Sequence, residues 1–297
     1  MATEPDTTTP AERAGVTATS ATSFFAGGGA DIHPPAGARA AFLALLARDL
    51  VVLRKEFWMF LARTVMQPLL LMFVFTYVFP KIGQGVGGGS GSKAFSTLLV
   101  GGVIASTMIF QGIQAVALPL VQDFGYTREI EDRVLAPLPI SAVAIEKVVA
   151  GSVQALIAGA LVFPMGLFIP ATKIHLHVNV LLLVPVMLLG AFTSASLGLF
   201  VGTKVEPKQV PLIFGLLVLP MTFLGAVYYP WQSLHSLRWL QVAVLINPLV
   251  YLCEGMRASL TTGVPHMQMW IVFLVLAAVG ALLLRVGIKG FRNRVLS

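Results

Sequence analysis

Few residues in this chain are of types that do chemistry, and five of them crowd into one short block. The stretch YTREIEDRVLAPLPIS, Tyr126 to Ser141, carries Arg128, Glu129, Glu131, Asp132 and Arg133 between two long apolar runs. Arg128 and Asp132 stand four residues apart, as do Glu129 and Arg133, and each such pair supports a surface helix by about 0.2–0.5 kcal/mol. Pro137 and Pro139 end that helix before the next apolar run. Spacing leaves two readings open. The block is a solvated loop helix without a partner, or a short rigid lever that a partner grips to tilt both flanking segments.

The other candidates exclude more than they offer. GQGVGGGSGSKA, Gly83 to Ala94, has the glycines of a phosphate-binding loop, but Lys93 is followed by Ala94. Such a loop needs Lys-Ser or Lys-Thr so that amine and hydroxyl reach the phosphates and the metal. The stretch reads as a flexible external loop. No other Walker-type sequence is present, so the chain does not hydrolyse ATP by that route. A single Cys253 excludes an internal disulfide and a cysteine-based metal cluster. His175 and His177 form an H-x-H that, like His33, His235 and His266, lies outside the apolar runs. Two solvated loop histidines fit that placement better than a zinc site. The expectation is a chain that binds no metal or cofactor of its own and is not itself an enzyme.

The elements that must position the charged block are apolar. Of 297 residues, 57% are apolar and 11% charged, with mean hydropathy +0.85; a soluble domain carries roughly 25% charged residues. The class is an all-α integral membrane protein. Six segments approach the ~20 residues that cross a bilayer, at about 60–80, 96–121, 143–169, 179–202, 209–227 and 268–286. Residues 228–262, with Tyr228, Tyr229, Trp231 and Trp239, read as short external or re-entrant helices at the membrane boundary. A hidden seventh span there would carry the C-terminus to the other side. Residues 1–37, rich in Thr, Ala, Ser, Gly and Pro, lack the basic region and apolar run of a secretory signal and read as a disordered cytoplasmic tail. Over 38–58, Phe42, Leu46, Leu50, Leu53 and Phe57 line one helix face, with Arg48, Asp49, Arg54, Lys55 and Glu56 away from it. That is an amphipathic helix lying along the cytoplasmic interface, or a plain N-terminal extension of the first span.

Lysine and arginine set the orientation. With the N-terminus inside, only Lys81, Lys93, Lys173, Arg238 and Arg257 face out, of 20 basic residues. Both termini and the charged block are then cytoplasmic. The net charge of +7 reports this asymmetry rather than nucleic-acid binding. Past Arg63, no ionisable residue lies near the middle of a span; Asp123, Glu146 and Arg285 sit at edges. Ion-coupled transporters carry such groups near the midplane, and no span holds the histidine or metal ligands of an intramembrane protease. A backbone-only sodium site stays open.

From about residue 40 to 295 the chain resembles the permease subunits of ABC-2 type transporters, in particular the daunorubicin-resistance-like drug-exporter branch. The resemblance is carried by QPLLLMFVFTYVF in the first span, by LLVGGVIASTMIFQGIQAVALPLVQDFGYTREIEDRVLAPLPISAVAIEKVVAG, and by NPLVYLCEGMR before the last span. It implies a six-span domain over 59–297 and a cytoplasmic connecting helix over 38–58, bearing Arg48, Arg54, Lys55 and Glu56. It also implies that the helix at about 123–137, with Arg128, Glu129, Glu131, Asp132 and Arg133, is the coupling helix docking in a separate ATP-binding subunit. Where family members often have a Gly-Thr-Leu-type stretch, this chain reads Ile130-Glu131-Asp132, so the helix carries over better than any single contact. Asn247, Pro248, Tyr251, Glu254 and Arg257 match the family's NP…Y…E…R pattern, whose implied role is an external gate; a structural salt bridge closing the fold fits the same residues.

The partners so implied are the ATP-binding subunit, which holds ATP and Mg, a second permease copy forming a homodimer, membrane lipids, and a small hydrophobic or amphipathic substrate. The expected activity is ATP-driven export of a drug, lipid or natural product across the cell membrane. Two alternatives stand beside it: export of a lipid-linked polysaccharide, and an ion-coupled transporter or channel without an ATPase.

Overall fold

Where no water reaches the backbone, every N–H and C=O must be bonded inside its own segment, so long apolar runs become helices. The computed structural model describes residues 36–82, 88–124, 139–170, 177–261 and 265–295, and among them there is no strand. In chain order the helices are α1 (Ala36–Lys55), α2 (Phe57–Lys81), α3 (Gly88–Gln122), α4 (Ile140–Phe168), α5 (Val180–Lys204), α6 (Val210–Phe223), α7 (Arg238–Ala243), α8 (Pro248–Leu260) and α9 (Met269–Val295). Helices α2, α3, α4, α5 and α9 are long and apolar enough to cross a membrane.

Three boundaries differ from the sequence expectation. The fifth span, expected over 209–227, is the 14-residue α6, which stops at Phe223. Beyond it, the chain turns through Ala226 at φ 54°, a left-handed conformation that ends a helix. Residues 228–262 fold as a 3₁₀ turn (Trp231–Ser236), then α7 and α8, with Arg238–Ile246 and Pro248–Leu260 bent by 98° at Asn247. The helix expected to begin near 96 starts at Gly88, inside the expected loop; once nucleated by the apolar run, a helix gains one hydrogen bond per added residue. The last helix continues to Val295 rather than stopping near 286, with Arg292 and Arg294 in its last turn, where cations complement the negative end of the helix dipole.

Within α2 the turns widen into a π-helical stretch, Phe73–Val78. Pro80 supplies the reason: it has no N–H to donate, and its ring crowds the carbonyl four residues back, at Thr76.

Helix α5 is the hub, packing against α3, α4, α8 and α9. Its buried residues are mostly small, among them Gly190, Ala191, Ser194, Ala195, Gly198 and Gly202. A Cβ at Gly198 would stand 2.8 Å from the Ile113 carbonyl oxygen and 3.0 Å from that of Gly112. The α3 and α5 backbones therefore touch, as small residues allow in membrane helices.

The two ends of the bundle hold different clusters. One end gathers Val116 and Leu120 of α3, Val143, Ala144 and Val148 of α4, Leu199 of α5 and Phe291 of α9, with Ala41, Phe42 and Leu45 of α1 packed on them. The first and last described helices thus meet at one end. The other end holds Ala226, Val244 and Val250 with Tyr229, Trp231, Leu234 and Leu240 around them.

Candidate functional site

At the end where α1 and α9 meet, charge enters the bundle. Glu146 and Lys147, in the second turn of α4, are 1% and 6% exposed, and Asp123 at the end of α3 is 9% exposed. Lys147 Nζ donates to Asp49 Oδ2 at 2.5 Å, tying α4 to α1. The stripe assigned to α1 holds at four of its five positions: Phe42, Leu46, Leu53 and Phe57 are partly buried, while Leu50 is 36% exposed and Asp49, expected away from the stripe, is half-buried beside it. A buried ammonium needs an anion, and Asp49 on the flank of the stripe supplies it. A cleft of about 430 Å³ opens beside this pair, lined by Arg48, Asp49 and Glu56 of α1 and its hinge, Arg63 of α2, Gln122 and Asp123 at the end of α3, and Lys147 of α4.

Of the connecting-helix residues singled out in the sequence, Arg48, Arg54, Lys55 and Glu56 are all exposed, and Arg48 and Glu56 border that cleft. The coupling-helix residues Arg128, Glu129, Glu131, Asp132 and Arg133 lie outside the described residues. The chain on either side of them can be placed: Phe124 packs against Phe291 with ring centroids 5.6 Å apart and tilted by 60°, Arg294 lies 4.9 Å over the Phe124 ring, and Ile140 joins the same cluster. Arg294 also donates to the Val205 carbonyl at 3.0 Å, at the end of α5. The described residues flanking 125–138 thus both lie at the end that carries α1.

About 20 residues earlier along α3, roughly 30 Å at 1.5 Å per residue, Gly101 and Gly102 face the second cluster. Here the five NP…Y…E…R residues come together with the broken end of α6. Asn247 caps α8, its Oδ1 accepting from Leu249 N at 3.0 Å, while its Nδ2 donates to Met221 O at 2.9 Å. Pro248 occupies the first turn of α8, where no N–H is needed. Tyr251 donates to Leu245 O at 3.0 Å. Glu254 and Arg257 are wholly buried and paired at 2.8 Å. Glu254 Oε1 also accepts from Trp231 N at 2.9 Å, and Oε2 from Met267 N at 3.0 Å. Arg257 Nη2 donates to the carbonyls of Ala226 and of Val227, the latter at 3.1 Å.

The accounting explains why an arginine, counted from sequence among the outward-facing charges, is buried. A helix that stops short leaves carbonyls unbonded, and irregular backbone in an apolar setting is tolerated only where protein supplies the missing partners. Tyr229 donates to Phe223 O at 2.9 Å, Asn247 takes Met221 O, and Arg257 takes the carbonyls of Ala226 and Val227 in the turn beyond. The group is a clamp on the α6 end, with Glu254 neutralising its cation.

Sequence reasoning missed Asp49 and Lys147 as site residues. The signal was available: adjacent Glu146 and Lys147 inside an otherwise apolar helix call for a counter-charge on a neighbour. Among the described residues, no group of three or more His, Cys, Asp or Glu side chains could hold a metal ion.

Comparison with known proteins agrees with this architecture. The family model described as ABC-2 type transporter matches residues 40–261. The inner membrane transport permease YadH of Escherichia coli K12 is 28% identical over 206 residues, covering 66% of this chain and 74% of the relative. The protein of that name from Shigella flexneri matches to the same extent. With the family match spanning α1 through α8 and five long apolar helices around them, the chain belongs to the ABC-2 type transporter family as a multi-pass integral membrane protein.

Proposed function

We propose that this chain is the transmembrane permease subunit of an ATP-driven exporter in the inner membrane, the location named for its relatives. Two copies form the pathway. A separate ABC ATP-binding subunit, holding ATP and Mg, drives it, and the cargo is a hydrophobic or amphipathic compound moved out of the cytoplasm. One observation carries this reading: α1, the described flanks of segment 125–138 and the C-terminal turns of α9 converge on one end of the bundle. A motor bound there would grip the coupling helix and the connecting helix together, and the Asp49–Lys147 contact would pass its motion to α4. The lack of a Walker sequence in this chain supports a separate motor.

The test begins with gentle solubilisation from native membranes and mass spectrometry of what co-purifies. A stoichiometric soluble protein with a Walker A sequence is expected. In proteoliposomes containing both proteins, replacing Glu129, Asp132 and Arg133 together with Ala should abolish ATP-driven export while membrane insertion stays normal. Unchanged export by that triple variant would count against the coupling role, and the absence of any ATPase from an intact complex would sink the ATP-driven reading.

A further inference from the structure

We propose that the face between α2 and α3 holds an anionic amphipath, its phosphate or carboxylate head at Arg63 and Gln111 and its apolar tail along the outer side of α2. The head site is a cavity of about 150 Å³ between the two helices, bordered by Arg63, Thr64, Gln67, Thr107, Gln111 and Gln114. Arg63 is the one charged residue among those lining it, lies about 9 Å along α2 from Phe57, and is exposed. Among the described residues it makes no ion pair.

An arginine near a helix end can snorkel to the interface without any ligand. Gln111 is what that explanation leaves over. It is 5% exposed; its Oε1 accepts from Thr64 Oγ1 at 3.1 Å, and its Nε2 has no partner. Either assignment of the amide leaves one atom buried and unsatisfied, and such atoms are rare enough to call for a bound group. Thr107 and Ser106 already donate to Val103 O at 2.8 and 3.0 Å. The donors free to converge on a ligand are therefore the guanidinium and the glutamine amides, a set suited to a planar or tetrahedral oxyanion.

A groove continues from the same arginine along α2, lined by Met66, Leu70, Leu71, Val74 and Phe75. Met66 and Leu70 are 57% and 53% exposed. One charged, donor-rich end joined to one apolar track has the polarity of an amphipath with a single negative head. Inorganic phosphate would fill only the first part, and a zwitterionic lipid would bring a cation against Arg63.

This inference refines the cargo chemistry of the export reading and rests on it only for the question of whether the occupant is cargo or resident lipid. Binding itself is measured without ATP or the motor subunit, so failure here leaves that reading intact. The full-length chain is purified in mild detergent and titrated, by native mass spectrometry, with short-chain phosphatidylglycerol, short-chain phosphatidylcholine and inorganic phosphate. Phosphatidylglycerol should bind about tenfold tighter than phosphatidylcholine, the size of one charge-assisted pair, and inorganic phosphate should compete weakly. Arg63→Gln should erase the preference, Arg63→Glu should reverse it towards a cationic amphipath, Arg63→Lys should keep part of it, and Gln111→Leu should weaken it several-fold. Thermal unfolding like that of the wild type for each variant certifies the fold.

Equal binding of the two lipids, or an undiminished preference in Arg63→Gln, overturns the proposal. So does a change in dimer mass on Arg63→Gln without a change in lipid binding, which would place this face between two copies. With the motor added, ATP-dependent movement of labelled phosphatidylglycerol identifies the occupant as cargo, and retention through turnover identifies a resident lipid; either supports the site.

Discussion

Arg257 serves a helix other than its own. It sits on α8, yet two of its bonds hold carbonyls of the turn after α6 and a third goes to Glu254. Removing it strands a buried carboxylate and two carbonyls at once. Arg257→Met should therefore cost about 3–5 kcal/mol, the range for breaking a buried pair from one side, read as a lower unfolding temperature in detergent. Replacing both partners, Glu254→Leu with Arg257→Met, should cost less than the two single changes added together. The pairing of Glu254 with Arg257 was legible from their three-residue spacing. Their carbonyl and amide partners at 226, 227, 231 and 267 were not, because nothing local in sequence says that α6 ends early and brings its loose backbone to α8.

At the scale of elements, hydropathy located every long helix, but α3 and α9 run eight or nine residues past their apolar runs, where hydrogen bonding and end charges rather than hydropathy set the boundary. Helix α6 illustrates the limit. Its apolar run continues past Phe223, but the chain departs there, and Asn247 and Tyr229 supply partners for the carbonyls at its end. The amphipathic face of α1 was read correctly except at Leu50, but Asp49 beside it is drawn in because Lys147 on the neighbouring helix needs an anion. Gly102 shows how closely elements meet at the clamp. A Cβ there would lie 2.2 Å from Val227 O and 2.9 Å from Val227 C, backbone atoms that cannot swing aside. Gly102→Ala should push α3 off the turn held by Arg257 and cost about 1–3 kcal/mol, as overpacking does. Gly215, with open space around it, is the control: Gly215→Ala should leave the unfolding temperature unchanged or slightly raised. Equal unfolding temperatures for the two variants would contradict the close approach.

The whole molecule has one built-in reporter of motion. Cys253, the only cysteine, is fully buried on α8, with Sγ 3.9 Å from Gly102 O. In the resting protein a maleimide should label it no faster than unfolding allows. If the clamp also opens as an external gate, ATP turnover in the assembled transporter should raise the labelling rate at least about tenfold, the effect expected when a minor open state becomes the major one. If it is purely structural, turnover should leave the rate where it was. The general plan of the molecule, a bundle of long apolar helices, was readable from composition. What the two ends do was not, because it depends on contacts between helices far apart in sequence: α1 with α4 at one end, α6 with α8 at the other.

The clamp also sets an order in time. Helix α6 is complete at Phe223, but the groups that satisfy its end are Tyr229, Asn247 and Arg257. A ribosome must add 34 more residues before the last of these exists. Until then the α6 terminus is only partly satisfied, by Tyr229 and then Asn247, and the turn beyond it still lacks its donor. Its insertion is completed from the C-terminal side, when α8 arrives, so biogenesis of this half of the chain runs backwards with respect to synthesis.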